Sequence, residues 1–177
     1  MNHTDAFRIA KNILETLRPI CERIEIAGSI RRQKAEVKDI EIVAVPMFQT
    51  DMFGGNLLDH SLDAFDWKQM GELTLNGHKQ KKILLGSDIA LDLFIVTPPA
   101  QWGVQYVIRT GPKDFSTWMV TKKINGGALP DSYFVKDGAV WDGSDGSKFN
   151  LPEEKDFFRL CGLNWTEPAL REARWTK

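Results

Sequence analysis

The chain has 177 residues, 42% hydrophobic and 27% charged, with a net charge of −1. That is the make-up of a soluble globular protein, one domain or one with a small appendage, long enough to bury a core. It lacks the strong basic excess common among nucleic-acid binders, so any such binding must rest on local basic clusters. No apolar run approaches the roughly 18 residues of a membrane helix, and the first residues lack the apolar core of a signal peptide. Cys21 and Cys161 are the only cysteines, too few for a disulfide framework or a cysteine zinc site. No membrane partner is expected, and a reduced, cytoplasmic monomer is.

In chain order, Thr4 or Asp5 caps a helix running to about Arg18, with Phe7, Ala10, Ile13, Leu14 and Leu17 on one face. Pro19 ends it. "RIEIA" alternates as a strand, Gly28-Ser29 turns the chain, and Ile30 to Glu36 is short and helix-like. "DIEIVAVP" is a second strand, and Phe48 to Asn56 a loop. "LLDHSLDAFDWKQMGEL" has the spacing of a second amphipathic helix. "TLNGHKQKKILLG" holds an Asn-Gly turn and then a basic strand; "SDIALDLFIVTPP" is a third strong strand. Beyond Pro98-Pro99, "AQWGVQYVIRTG" and "DFSTWMVTKKI" read as helices and Asp137-Gly138 as a hairpin turn. "LPEEKDFFRLCG" reads as a short helix with acids in its first turn. The expected class is therefore α+β, a mixed sheet with flanking helices over residues 1–98 and a smaller helix-and-hairpin part over 99–177.

Three carboxylates interrupt apolar strands: Asp39, Glu41 and Asp92. Residues i and i+2 of a strand share a face, so Asp39 and Glu41 stand side by side, and two like charges there are costly unless something positive lies between them. If the strand of Asp92 pairs beside theirs, the three form an oxygen-lined pocket suited to Mg²⁺ or Mn²⁺. Two such ions roughly 4 Å apart clamp the attacking and leaving oxygens of a phosphoryl displacement. Just upstream, Gly28-Ser29 presents backbone N–H groups and a hydroxyl to an anion, and Arg31 and Arg32 add charge that can fork onto phosphate. Phosphate-holding groups thus precede metal-holding groups. Taken singly, each has a plainer reading: Asp92, for one, could pair with a lysine of "KQKK".

"AGSIRR…DIEIVAVP…LDLFIVTP" resembles the nucleotidyltransferase core of the DNA polymerase β family (family X). "RTGPKDFSTWM" is similar to that family's Thr-Gly segment, and "PEEKDFFRLCGLNWTEPALRE" to its thumb ending, so the likeness runs from about Glu22 onward. The resemblance implies a polymerase β-like palm (1–98) and a thumb-like subdomain (99–177). It implies that Asp39, Glu41 and Asp92 are catalytic and bind two metal ions, with Asp92 helping to activate the primer 3′-hydroxyl. Gly28, Ser29 and Arg32 would hold the nucleotide's phosphates, Thr110 and Gly111 would line its sugar and base, and Gly111-Pro112 would be cis. The family usually has Asp where Glu41 stands, and an aromatic pair where this chain has Ile108-Arg109. Its larger members carry an N-terminal lyase domain and a helix-hairpin-helix clamp; neither is visible, so lyase activity is not expected.

The implied activity is addition of dNTPs to a primer 3′ end, on gapped or primed DNA, with short gaps the natural substrate. A terminal transferase acting on RNA or another acceptor shares the chemistry, and a catalytically silent nucleic-acid-binding module shares the fold. Lys79, Lys81, Lys82, Lys113, Lys122 and Lys123 are candidate nucleic-acid contacts. Trp118 is a candidate base-stacking surface. His3, His60 and His78 show no metal-ligand spacing and read as surface residues.

Overall fold

Asn2, rather than Thr4 or Asp5, caps the first helix: its backbone is extended and its carboxamide oxygen accepts the Asp5 amide at 2.9 Å. Helix α1 (His3–Leu17) follows and buries Ala6, Ala10, Ile13, Leu14 and Leu17. Phe7 is 42% exposed because the buried stripe passes through Ala6, one position round the helix. The structure, a computed structural model, describes residues 1–50, 56–86 and 89–174. It falls into two compact units, Met1–Ile26 with Ala35–Thr97, and Ala27–Lys34 with Pro98–Lys177. The Gly28-Ser29 segment thus goes with the residues from Pro98 onward rather than with its neighbours in sequence.

In the first unit, β1 (Cys21–Ile26) precedes the single turn α2 (Gly28–Arg31), which belongs to the second unit. The chain continues as β2 (Asp39–Pro46), β3 (Phe48–Thr50) and β4 (Asn56–His60). Residues 51–55 of the expected loop lie outside the described residues. The expected second helix is replaced by β4, one turn α3 (Ser61–Ala64), a 3₁₀ turn at Trp67–Gln69 and β5 (Gly71–Asn76). Asp66 accepts the Lys68 amide and the Trp67 indole donates to the Leu62 carbonyl, so local bonds favour a folded-back corner over a continuous helix. Strands β6 (Gln80–Leu85) and β7 (Ala90–Ile95) complete a mixed five-stranded sheet in the order β1-β2-β7-β6-β5. Only β2 and β7 run parallel; the other neighbours are antiparallel. Strand β7 is central and buried along nearly its whole length. Ile40, Ile42, Ile83, Leu91 and Leu93 are fully buried in this unit's core.

The second unit holds α4 (Trp102–Thr110), α5 (Lys113–Val120), the hairpin β8 (Tyr133–Lys136) and β9 (Ala139–Asp142), α6 (Glu154–Leu160) and α7 (Pro168–Arg174). Asp137 and Gly138 both take positive φ, 50° and 76°, as a two-residue hairpin turn requires. Val104, Val107, Phe115, Met119, Leu129, Phe157 and Phe158 form the core, and the half-buried Trp118 packs against it. Gly103 lets α4 lie against the chain before α6: a Cβ there would sit 2.3 Å from the Glu153 carbonyl oxygen. Gly111-Pro112 is cis, as expected, and so is Pro98-Pro99. Among the described residues no helix is long and apolar enough to cross a membrane.

Candidate functional site

The first unit brings its three strand carboxylates together by register. Parallel pairing sets Glu41 opposite Asp92 and Asp39 opposite Ala90, so Asp39 and Glu41 share a sheet face and Asp92 adjoins Glu41 on the next strand. Asp39 and Glu41 are half-buried and Asp92 is 7% exposed. The donor set is all oxygen and anionic, the kind that hard divalent ions take. Asp92 is also engaged within the sheet: Gln80 donates to its Oδ1 at 3.1 Å, and the Lys82 ammonium lies 3.3 Å from its Oδ2. Lys82 stands opposite Asp92 in the β6–β7 register, and its side chain is 45% exposed. An ion pair that open to water is weak, worth about 0–1 kcal/mol, and readily displaced.

The second unit contains the glycine-serine turn and the Thr-Gly segment. Gly28 is buried with φ 58°, and Ser29 Oγ is a buried hydroxyl with no hydrogen-bond partner among the described residues. Arg32 donates through Nη1 to the Thr110 carbonyl. Thr110 is fully buried, and its hydroxyl accepts from Arg31 Nη1 at 2.6 Å. Gly111 holds φ 70°, and a Cβ there would come 2.9 Å from Arg32 Nη1. A larger residue there would be strained by the positive φ, and the end of the Arg32 side chain would have to shift to admit its Cβ.

Arg31 is structural rather than solvated. It makes a bidentate pair with Glu154, at 2.8 and 2.7 Å, and lies 3.8 Å over the Tyr106 ring. Glu154 also accepts from Arg171, which is 0% exposed, and from the Trp165 indole at 3.1 Å. Burial by itself pushes the Glu154 carboxyl up; hydrogen bonds from Arg31 and the charges of Arg171 and Arg31 outweigh it and hold the group below the usual range. Among the acids of α6, Asp156 fits the expectation for a first turn: it accepts the Glu153 amide in a capping box. Glu154 instead ties α6 to α2 and α7.

The candidate nucleic-acid lysines divide. Lys79, Lys113 and Lys123 are exposed, and Lys82 and Lys122 half-buried. Lys81 departs from the expectation: it is 1% exposed, and its ammonium is bound at 2.7 Å to Asp63 and 2.6 Å to Asn76, away from solvent. Alternation explains this, because Lys81 shares its face of β6 with the buried Ile83 and Leu85. His60 likewise is not a surface residue, being 2% exposed. It stands with Asp63 and His78 in a group whose ligand atoms all lie within 4.8 Å of one another. Among the described residues that is the trio that closes to such distances; the three strand carboxylates do not. Both free thiols are buried, which pushes Cys21 up to about 11 and Cys161 up to about 12, so both are protonated at neutral pH.

No protein-family model matches the sequence, and no curated protein matches it.

Proposed function

We propose that the chain is a metal-dependent nucleotidyltransferase of the polymerase β kind, adding deoxynucleotides to a DNA primer 3′ end and suited to short gaps. One observation carries the reading: the parallel β2–β7 register that sets Glu41 opposite Asp92 with Asp39 two residues back on the same face. In this reading residues 1–98 are the palm and residues 99–177 the thumb-like part. Mg²⁺ or Mn²⁺ held by the three carboxylates would supply the positive charge that steadies the attacking and leaving oxygens. Asp92 accepts the hydrogen bond of the primer 3′-hydroxyl and so strengthens it as a nucleophile. Ser29, whose buried Oγ has no partner among the described residues, and Arg32 are the groups proposed to hold the nucleotide's phosphates. The 3′-hydroxyl gives its proton to Asp92 as its oxygen bonds to the α-phosphorus, the bond from that phosphorus to the oxygen bridging to the β-phosphate breaks, and pyrophosphate departs with the electron pair.

Extension of a labelled primer on DNA with a one-nucleotide gap, supplied with Mg²⁺ or Mn²⁺ and each dNTP or NTP singly, tests the reading. Template-matched dNTP addition that disappears in Asp39→Ala supports it. Untemplated addition, or a preference for NTPs, moves the function to a terminal transferase. The Lys82 ammonium on Asp92 favours one rival, a silent module whose carboxylate is neutralised by a lysine. Lys82→Met separates them. The proposed enzyme is expected to bind Mn²⁺ several-fold more tightly without its competing lysine, with stability changed by less than about 1 kcal/mol. In a silent module the change leaves Mn²⁺ binding as it was; Mn²⁺ titration by calorimetry reads the difference.

A further inference from the structure

A second ion-binding arrangement lies on the other face of the same sheet. Lys81 and Lys82 are neighbours on β6 and so point to opposite faces. Lys82 is on the face of Asp92, and Lys81 is on the face that carries Asp63, His60 and His78. His60 ends β4, Asp63 lies in the α3 turn that follows, and His78 is in the turn between β5 and β6. His60 Nε2 lies 3.6 Å from Asp63 Oδ2 and 3.4 Å from the His78 carbonyl oxygen, both long for a hydrogen bond. His78 Nδ1 is 3.0 Å from the same Asp63 Oδ2. With metal–ligand bonds of about 2.0–2.1 Å, neighbouring ligands of a tetrahedral zinc ion stand about 3.3 Å apart; the separations of 3.6 and 3.0 Å to Asp63 Oδ2 lie on either side of that, and all the ligand atoms fall within 4.8 Å of one another.

The surroundings support an ion at this place. His60 is buried, its Nε2 faces two oxygen atoms, and its Nδ1 has no hydrogen-bond partner among the described residues, which leave this imidazole poorly satisfied. Asp63 Oδ1 is taken by the Lys81 ammonium at 2.7 Å, which fixes the carboxylate so that Oδ2 turns to the two imidazoles. Lys81 opposes a cation, yet its charge is already matched by Asp63, and Asn76 holds it as well. The His78 side chain is 77% exposed, so an ion can enter from solvent and keep a water ligand.

We infer that His60, Asp63 and His78 bind one divalent ion of the zinc class, clipping the β4–α3 corner to the β5–β6 turn. Two imidazoles and one carboxylate suit a borderline transition ion rather than Mg²⁺ or Ca²⁺. The inference does not depend on the proposed function, because the strand carboxylates are on the opposite face.

The test is a calorimetric titration of the full chain with Zn²⁺ in excess Mg²⁺, which occupies hard oxygen sites, together with thermal melts. One Zn²⁺ per chain is expected, with a raised melting temperature. His78→Ala removes an exposed ligand that the fold does not need; it is expected to weaken Zn²⁺ by more than the about 10–100-fold that loss of a ligand's supporting partner costs. Its melting temperature without Zn²⁺ should match the wild type. Co²⁺ in place of Zn²⁺ should give visible bands of a nitrogen- and oxygen-ligated ion in the wild type and none in the variant. Absence of stoichiometric Zn²⁺ binding by the wild type, or wild-type affinity in His78→Ala, overturns the assignment and leaves the cluster as an ion-pair network around Lys81.

Discussion

Glu154→Ala is expected to destabilise the second unit by about 3–5 kcal/mol, the range for removing one partner from a buried ion pair. The carboxylate is what keeps two arginines neutralised: Arg31, held bidentately, and Arg171, which has no exposed surface. Without it, two guanidinium groups face each other across a site closed by Tyr106, Phe115 and Phe158. Urea denaturation read by tryptophan fluorescence measures the loss, since the Trp165 indole donates to the same carboxylate. A change under about 1 kcal/mol would sink the argument. The pH dependence has a definite sign. Glu154 titrates lower in the folded chain than its ordinary value of 4.5. Its contribution is therefore fully present above about pH 4.5 and is lost as pH falls through the depressed folded value. Urea midpoints collected from pH 7 to pH 3 should fall on the acid side in the wild type, and less steeply in Glu154→Gln, which has no carboxyl to protonate.

That network was hidden from the sequence for a physical reason. Arg31 and Glu154 are separated by 123 positions, and nothing local marks either as half of a buried pair. An arginine beside an arginine reads as a solvated or phosphate-facing surface, and a glutamate in a first helical turn reads as a partner of the helix dipole. The strands at the carboxylates were legible because "DIEI" alternates and "VAV" and "LFIV" continue as short apolar runs typical of buried strands; their parallel pairing is a long-range contact that no local pattern announces. The corner at 61–70 was not. Leu58, Leu62 and Phe65 have apolar spacing compatible with a helix, and two things decide against it: the pairing of β5 with β6, and the local bond from the Trp67 indole to the Leu62 carbonyl. The His60–Asp63–His78 group depends on that same corner, so no linear spacing announces it. A signal for Lys81 did exist. It lies two and four residues before Ile83 and Leu85, on the buried side of its strand, and a lysine there requires an anion nearby. Asp63 is that anion.

Asp92→Asn is expected to cut primer extension by at least about 1,000-fold, a loss of roughly 4 kcal/mol in transition-state stabilisation, while barely changing stability. The two effects separate because of where Asp92 sits. The asparagine keeps the volume of the side chain and an oxygen that can accept from Gln80, so the centre of β7 stays packed and hydrogen-bonded. What it loses inside the fold is the pairing with Lys82, which is half open to solvent and worth about 0–1 kcal/mol. It also loses the negative charge beside Glu41, and with it the repulsion between adjacent strands, a change that favours the folded state. A carboxylate whose removal costs activity but not stability is there for a ligand. One whose removal costs neither marks a silent module, and one whose removal unfolds the chain marks a structural ion pair. Single-turnover extension of the gapped primer, paired with urea denaturation of the same preparations, separates these three outcomes. The proposed function predicts the first: near-complete loss of extension with a denaturation midpoint at or above that of the wild type.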